Sequence, residues 1–145
     1  MSFKSPSKYN EALRKIILSA SKGNAIDSID LDEIDLILRD AHSIENMRES
    51  GTFFTGLRLA TKTLESFSEQ IDAHSVILDP TCGAGNLLVL CSRKLTVYPK
   101  LTQTLSIWGR QLKGYDLYES FIEGAKLRII IDALNSCLLY TSDAA

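Results

Sequence analysis

The stretch VILDPTCGAGNLL, from Val76 to Leu88, decides the fold class of this chain. Together with the serine before it, the short apolar run SVIL predicts a buried β-strand over residues 75–78. Asp79 ends this strand, the turn PTCGAG follows, and the apolar residues of NLLVLCSR predict a buried helix over 86–93. A strand, a glycine turn and a helix in this order form the first half of a βαβ unit.

The turn carries two glycines, Gly83 and Gly85, where the strand passes into the helix. Without side chains there, a ligand can approach the backbone, and the helix start offers N–H groups that have no partner within the helix. No Lys-Ser or Lys-Thr pair follows, which excludes a P-loop, and Leu88 stands where G-x-G-x-x-G requires its third glycine. Asp79 would repel a pyrophosphate, so the turn favours a ligand with a positively charged amino group.

A second strand that also leads to an acid follows later in the chain. LKGYDL, residues 112–117, predicts a short strand that leads to Asp116. Apolar residues at helical spacing then predict a helix from Tyr118 to about Leu134. The two strands and their helices therefore predict an α/β fold with parallel strands.

The connection between the two strands is unusually long. Asp116 lies 37 residues after Asp79, whereas about 20 residues are usual in nucleotide-binding βαβ units. We interpret the surplus as an insertion over residues 95–111. Within it, Pro99 prevents one uninterrupted helix, and the pair Trp108–Gly109 predicts a turn.

The amino-terminal part has a helical pattern and carries no catalytic constellation. Apolar residues at helical spacing predict helices over residues 9–22 and from about 30 to 47. Residues 1–50 are therefore expected to form a helical cap packed on the domain that follows. RESGTFFTG, residues 48–56, interrupts the helical pattern, and LRLATKTLESF, residues 57–67, resumes it.

Composition narrows the class of protein. Of the 145 residues, 45% are hydrophobic and 23% are charged, which suits a folded core rather than a disordered chain. The formal net charge of -2 argues against a free-standing electrostatic clamp on nucleic acid. Three scattered cysteines indicate neither a disulfide scaffold nor a metal site. Neither a membrane-length apolar run nor a signal core occurs, so we expect a cytoplasmic protein with no membrane partner.

Three motifs together resemble one enzyme family. DPTCGAGNLL is similar to D-P-x-C-G-[SA]-G, the cofactor-binding motif of S-adenosylmethionine-dependent amino-methyltransferases, especially the adenine-N6 DNA methyltransferases. GTFFTGLRLATKTLE resembles their G-x-[FY]-[FY]-T-P segment, and LKGYDLYESFIEGAKLRIIIDAL resembles their second strand and helix. The resemblance covers residues 51 to about 134. It implies a Rossmann-like methyltransferase sheet, of which this chain holds only the first strands, preceded by the helical amino-terminal cap.

The resemblance implies a site for S-adenosyl-L-methionine formed by Phe54, Thr55, Asp79, Pro80, Cys82, Gly83, Gly85, Asp116 and Leu117. Thr55 and the backbone around Phe54 would contact the carboxylate or amino group of the cofactor. Asp79 would hold water or that amino group, and the two glycines would leave room for the methionine part. The family usually has proline where Gly56 stands, so the chain departs from the pattern at this position.

The remaining residues of the implied site would surround the nucleoside. Asp116 would accept hydrogen bonds from both ribose hydroxyls, as an acid at the end of a second strand commonly does. Leu117 and Pro80 would offer apolar contacts around the adenine and the turn. Cys82 matches the motif, but we interpret it as a small packing residue rather than a nucleophile, because no histidine stands in a matching place.

The catalytic motif of the resembled family is not found in this sequence. That family supplies acceptors for the hydrogens of the target amine through [NDS]-P-P-[FYW], acting on a flipped-out base. The three prolines of this chain are not adjacent to one another, so no catalytic residue is assigned. We therefore expect an amino-terminal piece of a DNA methyltransferase, truncated before that motif and inactive by itself. Its DNA-binding regions would be missing, and restriction or specificity subunits are candidate partners.

The end of the chain has a different character. CLLYTSDAA, residues 137–145, leaves the helical pattern and resembles read-through translation of a sequencing adapter. We expect this segment to be non-native, which leaves residues 51–136 as the start of the methyltransferase domain.

Three alternatives stay open. A protein-glutamine or ribosomal RNA methyltransferase would share the DPTCGAG turn, although the GTFFT block favours DNA methyltransferases. An NAD-dependent oxidoreductase is disfavoured by Asp79 and by the missing third glycine. A non-catalytic nucleoside-binding module would require the natural protein to end near this point.

Overall fold

The computed structural model describes residues 5–22 and 55–143, which combine helices with a small parallel sheet. The elements in chain order are α1 (Pro6–Ala20), α2 (Leu57–Glu65), a 3-10 turn (Ser68–Gln70), β1 (Ile77–Asp79), α3 (Asn86–Ser92), α4 (Leu101–Gln111), β2 (Leu112–Gly114) and α5 (Glu119–Asp143). The predicted mixed α/β class is confirmed in this form. The predicted helix from about 30 to 47 and the site residue Phe54 lie outside the described residues.

The two strands pair in parallel, as the sequence predicts. Ile77 is the partner of Leu112, and Asp79 is the partner of Gly114. A parallel pair requires a crossover connection, which α3 and α4 provide here. Because the strands run in the same direction, both carboxyl ends, and the loops that follow them, lie at one edge of the sheet.

Helices α2 and α3 cover the strands with a shared apolar cluster. Ala60 and Leu64 of α2 pack with Leu90 and Cys91 of α3, and all four side chains are buried. Ile77 of β1 packs against the same cluster. Burial of these side chains stabilises the packing of α2 and α3 against β1.

The turn predicted at Trp108–Gly109 is wrong, because α4 continues through both residues to Gln111. Pro99 lies just before the helix rather than within it, so it removes no hydrogen bond from the helix interior. The Trp108 side chain is buried, and its indole N–H donates to the Thr96 carbonyl oxygen at 3.0 Å. This anchoring outweighs the helix cost of Gly109, which is about 1 kcal/mol relative to alanine. The residues interpreted as an insertion therefore contain an ordered helix.

Helix α1 packs on α5. The Ser5 side chain caps α1 by accepting from the Lys8 N–H, so the helix begins at Pro6, earlier than predicted. Tyr9 and Leu13 form a buried cluster with Phe121 of α5. This contact agrees with a helix packed on the following domain, but the cap over residues 1–50 as a unit stays a prediction because residues 23–50 are outside the described part.

Helix α5 extends beyond its predicted end near Leu134 and reaches Asp143. The sequence between these positions has no glycine or proline to end the helix. Cys137 is buried, with its Sγ 3.6 Å from Thr104 Oγ1. The proposed origin of residues 137–145 stays a prediction. Within residues 5–22 and 55–143, no helix combines the length and the apolar character that a membrane span requires.

Candidate functional site

The loops that follow β1 and β2 are joined at the carboxyl edge of the sheet. The backbone N–H of Tyr115 donates to the Asp79 carbonyl oxygen at 3.0 Å, and the Cys82 N–H donates to the Tyr115 carbonyl oxygen at 2.9 Å. These bonds continue the strand pairing into the two loops. Asp79, the last residue of β1, and Asp116, in the loop after β2, are the two predicted acids, and they therefore lie at the same edge of the sheet.

Asp116 also fixes the glycine turn. Its Oδ2 accepts from the Gly83 N–H at 3.0 Å, and its Oδ1 accepts from the Tyr118 N–H at 3.0 Å. Gly83 can offer its N–H in this way because it has a positive φ of 51°, which residues with a side chain rarely adopt. A carboxylate has about four lone-pair sites, so two such bonds leave capacity for donors from a ligand.

Gly85 has a second reason to lack a side chain. Its φ is 84°, and a Cβ placed there would lie 2.7 Å from Cβ of Ala125 in α5. The close approach of α5 therefore requires glycine at this position. At Gly85 the missing side chain makes room for packing, whatever space it also leaves on the ligand side.

The other residues at this edge combine acceptors with exposed apolar groups. The Thr81 N–H donates to Asp79 Oδ1 at 3.1 Å, which orients the Asp79 carboxylate, and Pro80 between them is exposed. Leu117 is 85% exposed and Tyr115 is 64% exposed, so the loop after β2 presents two large apolar side chains to solvent. The carboxylates at this edge suit a ligand with hydroxyl or ammonium donors. The exposed apolar side chains suit a ligand that also has a planar apolar part.

Cys82 is a buried residue beneath this edge. A Cβ placed at Gly114 would lie 2.8 Å from the Cys82 Sγ, so the thiol packs against β2. Burial, together with the negative charges of Asp79 and Asp116, raises the pKa of Cys82 to about 11. The thiol stays protonated near neutral pH, which supports its interpretation as a packing residue rather than a nucleophile.

Thr55 lies beside the glycine turn. The side-chain amide of Asn86 donates through Nδ2 to the Thr55 carbonyl oxygen at 2.9 Å, and Asn86 directly follows the turn. Gly56, the next residue after Thr55, caps α2 with a φ of −61°. A proline would impose nearly the same φ, so the departure from the resembled motif at Gly56 preserves the backbone conformation.

Two polar residues near the turn were not predicted from the sequence. Arg128 of α5 is 2% exposed, and it donates through Nη1 to the Ala84 carbonyl oxygen at 2.5 Å and through Nη2 to Asn86 Oδ1 at 2.7 Å. Asn86 is also buried, at 7% exposure. Two signals in the sequence could have indicated them: an amide among the apolar residues at the start of α3, and an arginine among the apolar residues of α5. A polar side chain that is buried in such surroundings requires a hydrogen-bond partner.

The comparison with protein families agrees with this geometry. The family model for N-6 DNA methylases matches residues 34–118, which is more than half of the chain. The matched range includes the glycine turn after β1, the segment that contains Thr55, and the loop with Asp116. No curated protein and no solved structure matches the chain significantly. From this match over the residues that form the strand-end site, we conclude that the chain belongs to the N-6 DNA methylase family.

Proposed function

We propose that residues 51–136 form the S-adenosyl-L-methionine-binding part of a Rossmann-like DNA methyltransferase that acts on the N6 amine of adenine. The observation that carries this proposal is the hydrogen bond from the Gly83 N–H to the Asp116 carboxylate. It joins the glycine turn after β1 to the acid after β2, the two parts that would surround one nucleoside ligand. Membership of the N-6 DNA methylase family supports the same ligand and the DNA substrate.

The residues at the strand ends fit the chemistry of S-adenosyl-L-methionine. Asp116 keeps acceptor capacity for the two ribose hydroxyls, and Asp79 offers a carboxylate for the ammonium group of the methionine part. The exposed side chains of Leu117 and Tyr115 offer apolar surface for the adenine. Both carboxylates favour a cofactor with a net positive charge over a pyrophosphate.

These residues are proposed to bind and orient the cofactor. S-adenosyl-L-methionine supplies an activated methyl group on its sulfonium sulfur. Asp116 would fix the ribose, Asp79 would fix the ammonium group, and the turn would keep the chain close to the cofactor. No residue of this sequence is assigned to the adenine amine, because the sequence has no adjacent prolines that match the acceptor motif. DNA is the proposed substrate, and restriction or specificity subunits are proposed partners.

Cofactor binding is tested by calorimetry with S-adenosyl-L-methionine and with 5′-methylthioadenosine, which keeps the adenine and ribose but lacks the amino-acid end. Asp116→Asn is expected to lower the affinity for both ligands by about tenfold or more, because a carboxylate acceptor of the ribose is replaced by an amide. Glu119→Gln is the matched control: it removes an exposed acid three positions away and should change neither affinity by more than about twofold.

Two results would contradict the cofactor assignment. A wild-type chain that binds neither ligand, or that binds NAD more tightly than S-adenosyl-L-methionine, overturns the proposed cofactor. An Asp116→Asn variant with unchanged affinity for both ligands overturns the ribose role of Asp116. The reaction class is tested separately by the gene sequence around this segment. An in-frame [NDS]-P-P-[FYW] motif downstream supports methylation of a base amine, and a complete frame without it contradicts that reaction.

A further inference from the structure

The geometry points to Arg128 and Asn86 as positioning residues that hold the Thr55 segment at the methionine end of the cofactor site. This inference rests on the proposed binding of S-adenosyl-L-methionine. Neither residue contacts the ligand in this assignment. They act through the backbone of Thr55 and through the glycine turn.

The guanidinium of Arg128 bonds to both sides of Gly85. Nη1 donates to the Ala84 carbonyl oxygen and Nη2 donates to Asn86 Oδ1. The guanidinium is planar, and its donors have fixed directions relative to one another. The two acceptors, one before Gly85 and one after it, are therefore held in a defined relation, which fixes the turn from the side of α5.

Arg128 also determines how the Asn86 amide is oriented. Arginine has donors only, so the amide oxygen of Asn86 must face it, and the amide nitrogen must face the opposite side. That nitrogen donates to the Thr55 carbonyl oxygen at 2.9 Å. A reversed amide would place a donor against the guanidinium and an acceptor against a carbonyl oxygen. The position of Thr55 is thus coupled to a residue 73 positions later in the chain.

The coupling connects a buried network to an exposed residue. Arg128 and Asn86 are 2% and 7% exposed, whereas Thr55 is exposed. The buried part of the network supplies rigidity, and Thr55 supplies the surface that a ligand can reach. Asp116 holds the opposite, nucleoside side of the site through the Gly83 N–H. Breaking the bond from Asn86 to Thr55 while the contact with Arg128 is kept should therefore affect recognition of the methionine part alone.

The decisive variant is Asn86→Asp. An aspartate at this position still accepts from Arg128, so the link to α5 is retained, but it can no longer donate to the Thr55 carbonyl oxygen. The affinity for S-adenosyl-L-methionine is expected to fall by about tenfold or more, while the affinity for 5′-methylthioadenosine stays within about twofold. Asn135→Asp introduces the same charge change in α5 and is the control, with both affinities unchanged.

Arg128→Lys gives a second measurement with the same pair of ligands. A single ammonium group cannot donate to Ala84 and Asn86 in the same fixed geometry, so the affinity for S-adenosyl-L-methionine is expected to fall more than the affinity for 5′-methylthioadenosine. The thermal midpoint of each variant is measured without ligand to confirm that it is folded. If Arg128→Lys does not fold, the positioning role is tested by Asn86→Asp alone, because that substitution preserves the contact with Arg128.

The outcomes separate this inference from the proposed function. Selective loss of S-adenosyl-L-methionine affinity supports the positioning role. Equal loss for both ligands, or no loss for either, in a wild-type background that binds S-adenosyl-L-methionine overturns the positioning role and leaves the cofactor assignment intact. A wild-type chain that binds neither ligand overturns the proposed function, and this inference falls with it.

Discussion

Replacing Gly85 by alanine is expected to destabilise the chain for two separate reasons. The residue has a φ of 84°, so an alanine would occupy the left-handed region at a cost of roughly 1–2 kcal/mol. The added Cβ would lie 2.7 Å from the Ala125 Cβ and 3.1 Å from its Cα. Because one of these contacts is with backbone in the middle of α5, a side-chain rotation cannot relieve it, and overpacking of this kind costs about 1–3 kcal/mol.

The sum of the two costs is a loss of about 2–5 kcal/mol in the free energy of unfolding. Gly109→Ala is the matched control, because the same substitution there meets no atom within 4 Å and lies within helix α4. It should raise the free energy of unfolding by about 0.5–1 kcal/mol, the helix penalty of glycine relative to alanine. The two substitutions add the same methyl group and are expected to have opposite signs.

The assay is urea unfolding followed by circular dichroism, with the free energy extrapolated to water. Adding Ala125→Gly to Gly85→Ala removes the overlapping methyl group, and a double-mutant cycle isolates the contribution of that contact. The coupling should be at least about 1 kcal/mol and favourable, and the left-handed cost should persist. Equal changes in stability for Gly85→Ala and Gly109→Ala, or a cycle without coupling between positions 85 and 125, would show that the Ala125 contact does not require glycine at position 85.

Four further outcomes are expected. Burial, together with the negative charge of Asp79, raises the pKa of both Cys82 and Cys91 to about 11, so these two thiols should alkylate at pH 8 at least about a hundredfold more slowly in the native chain than in the urea-unfolded chain. Equal labelling rates in the native and unfolded chains would contradict this difference. Since these thiols ionise at lower pH in the unfolded chain than in the native chain, the free energy of unfolding should fall as pH rises from about 8.5 to about 11. Trp108→Phe should cost about 0.5–1.5 kcal/mol for the lost indole bond beyond its packing change, measured by urea unfolding. Gly56→Pro should raise the thermal midpoint, gaining about 0.4–1 kcal/mol because φ is already −61°, and a lower midpoint would show that proline does not fit there.

The region around β1 was predictable from the sequence because its signals are local. A short apolar run, an acid and two glycines within the thirteen residues from Val76 to Leu88 leave few other structures for this segment. The predicted strand at 75–78 is observed at Ile77–Asp79, and the predicted helix at 86–93 is observed at Asn86–Ser92. Parallel pairing then brings Asp79 and the loop with Asp116 to one edge, since parallel strands end on the same side.

Helix α4 was not predictable in the same way because its stability depends on distant contacts. Glycine after tryptophan indicates a turn locally, but the buried indole of Trp108 packs in a cluster that includes Leu95 and Ala133. Burial of a tryptophan contributes more than the cost of one glycine in a helix, so tertiary packing overrides the local preference. The eleven residues of α4 do not include Leu95 and Ala133, the packing partners that stabilise this segment as a helix.

Arg128 illustrates a stronger limit, because its type was visible and its partners were not. Arg128 lies next to the helix face of Ala125 and Ile129, and a guanidinium buried there must find acceptors. Its acceptors, however, lie 44 and 42 residues away, at Ala84 and Asn86. The sequence therefore shows an arginine beside apolar residues, whereas the fold determines that it is buried and which acceptors it contacts. Here it holds the glycine turn and, through Asn86, the Thr55 segment, so one buried cation stabilises two parts of the site that local motifs describe separately.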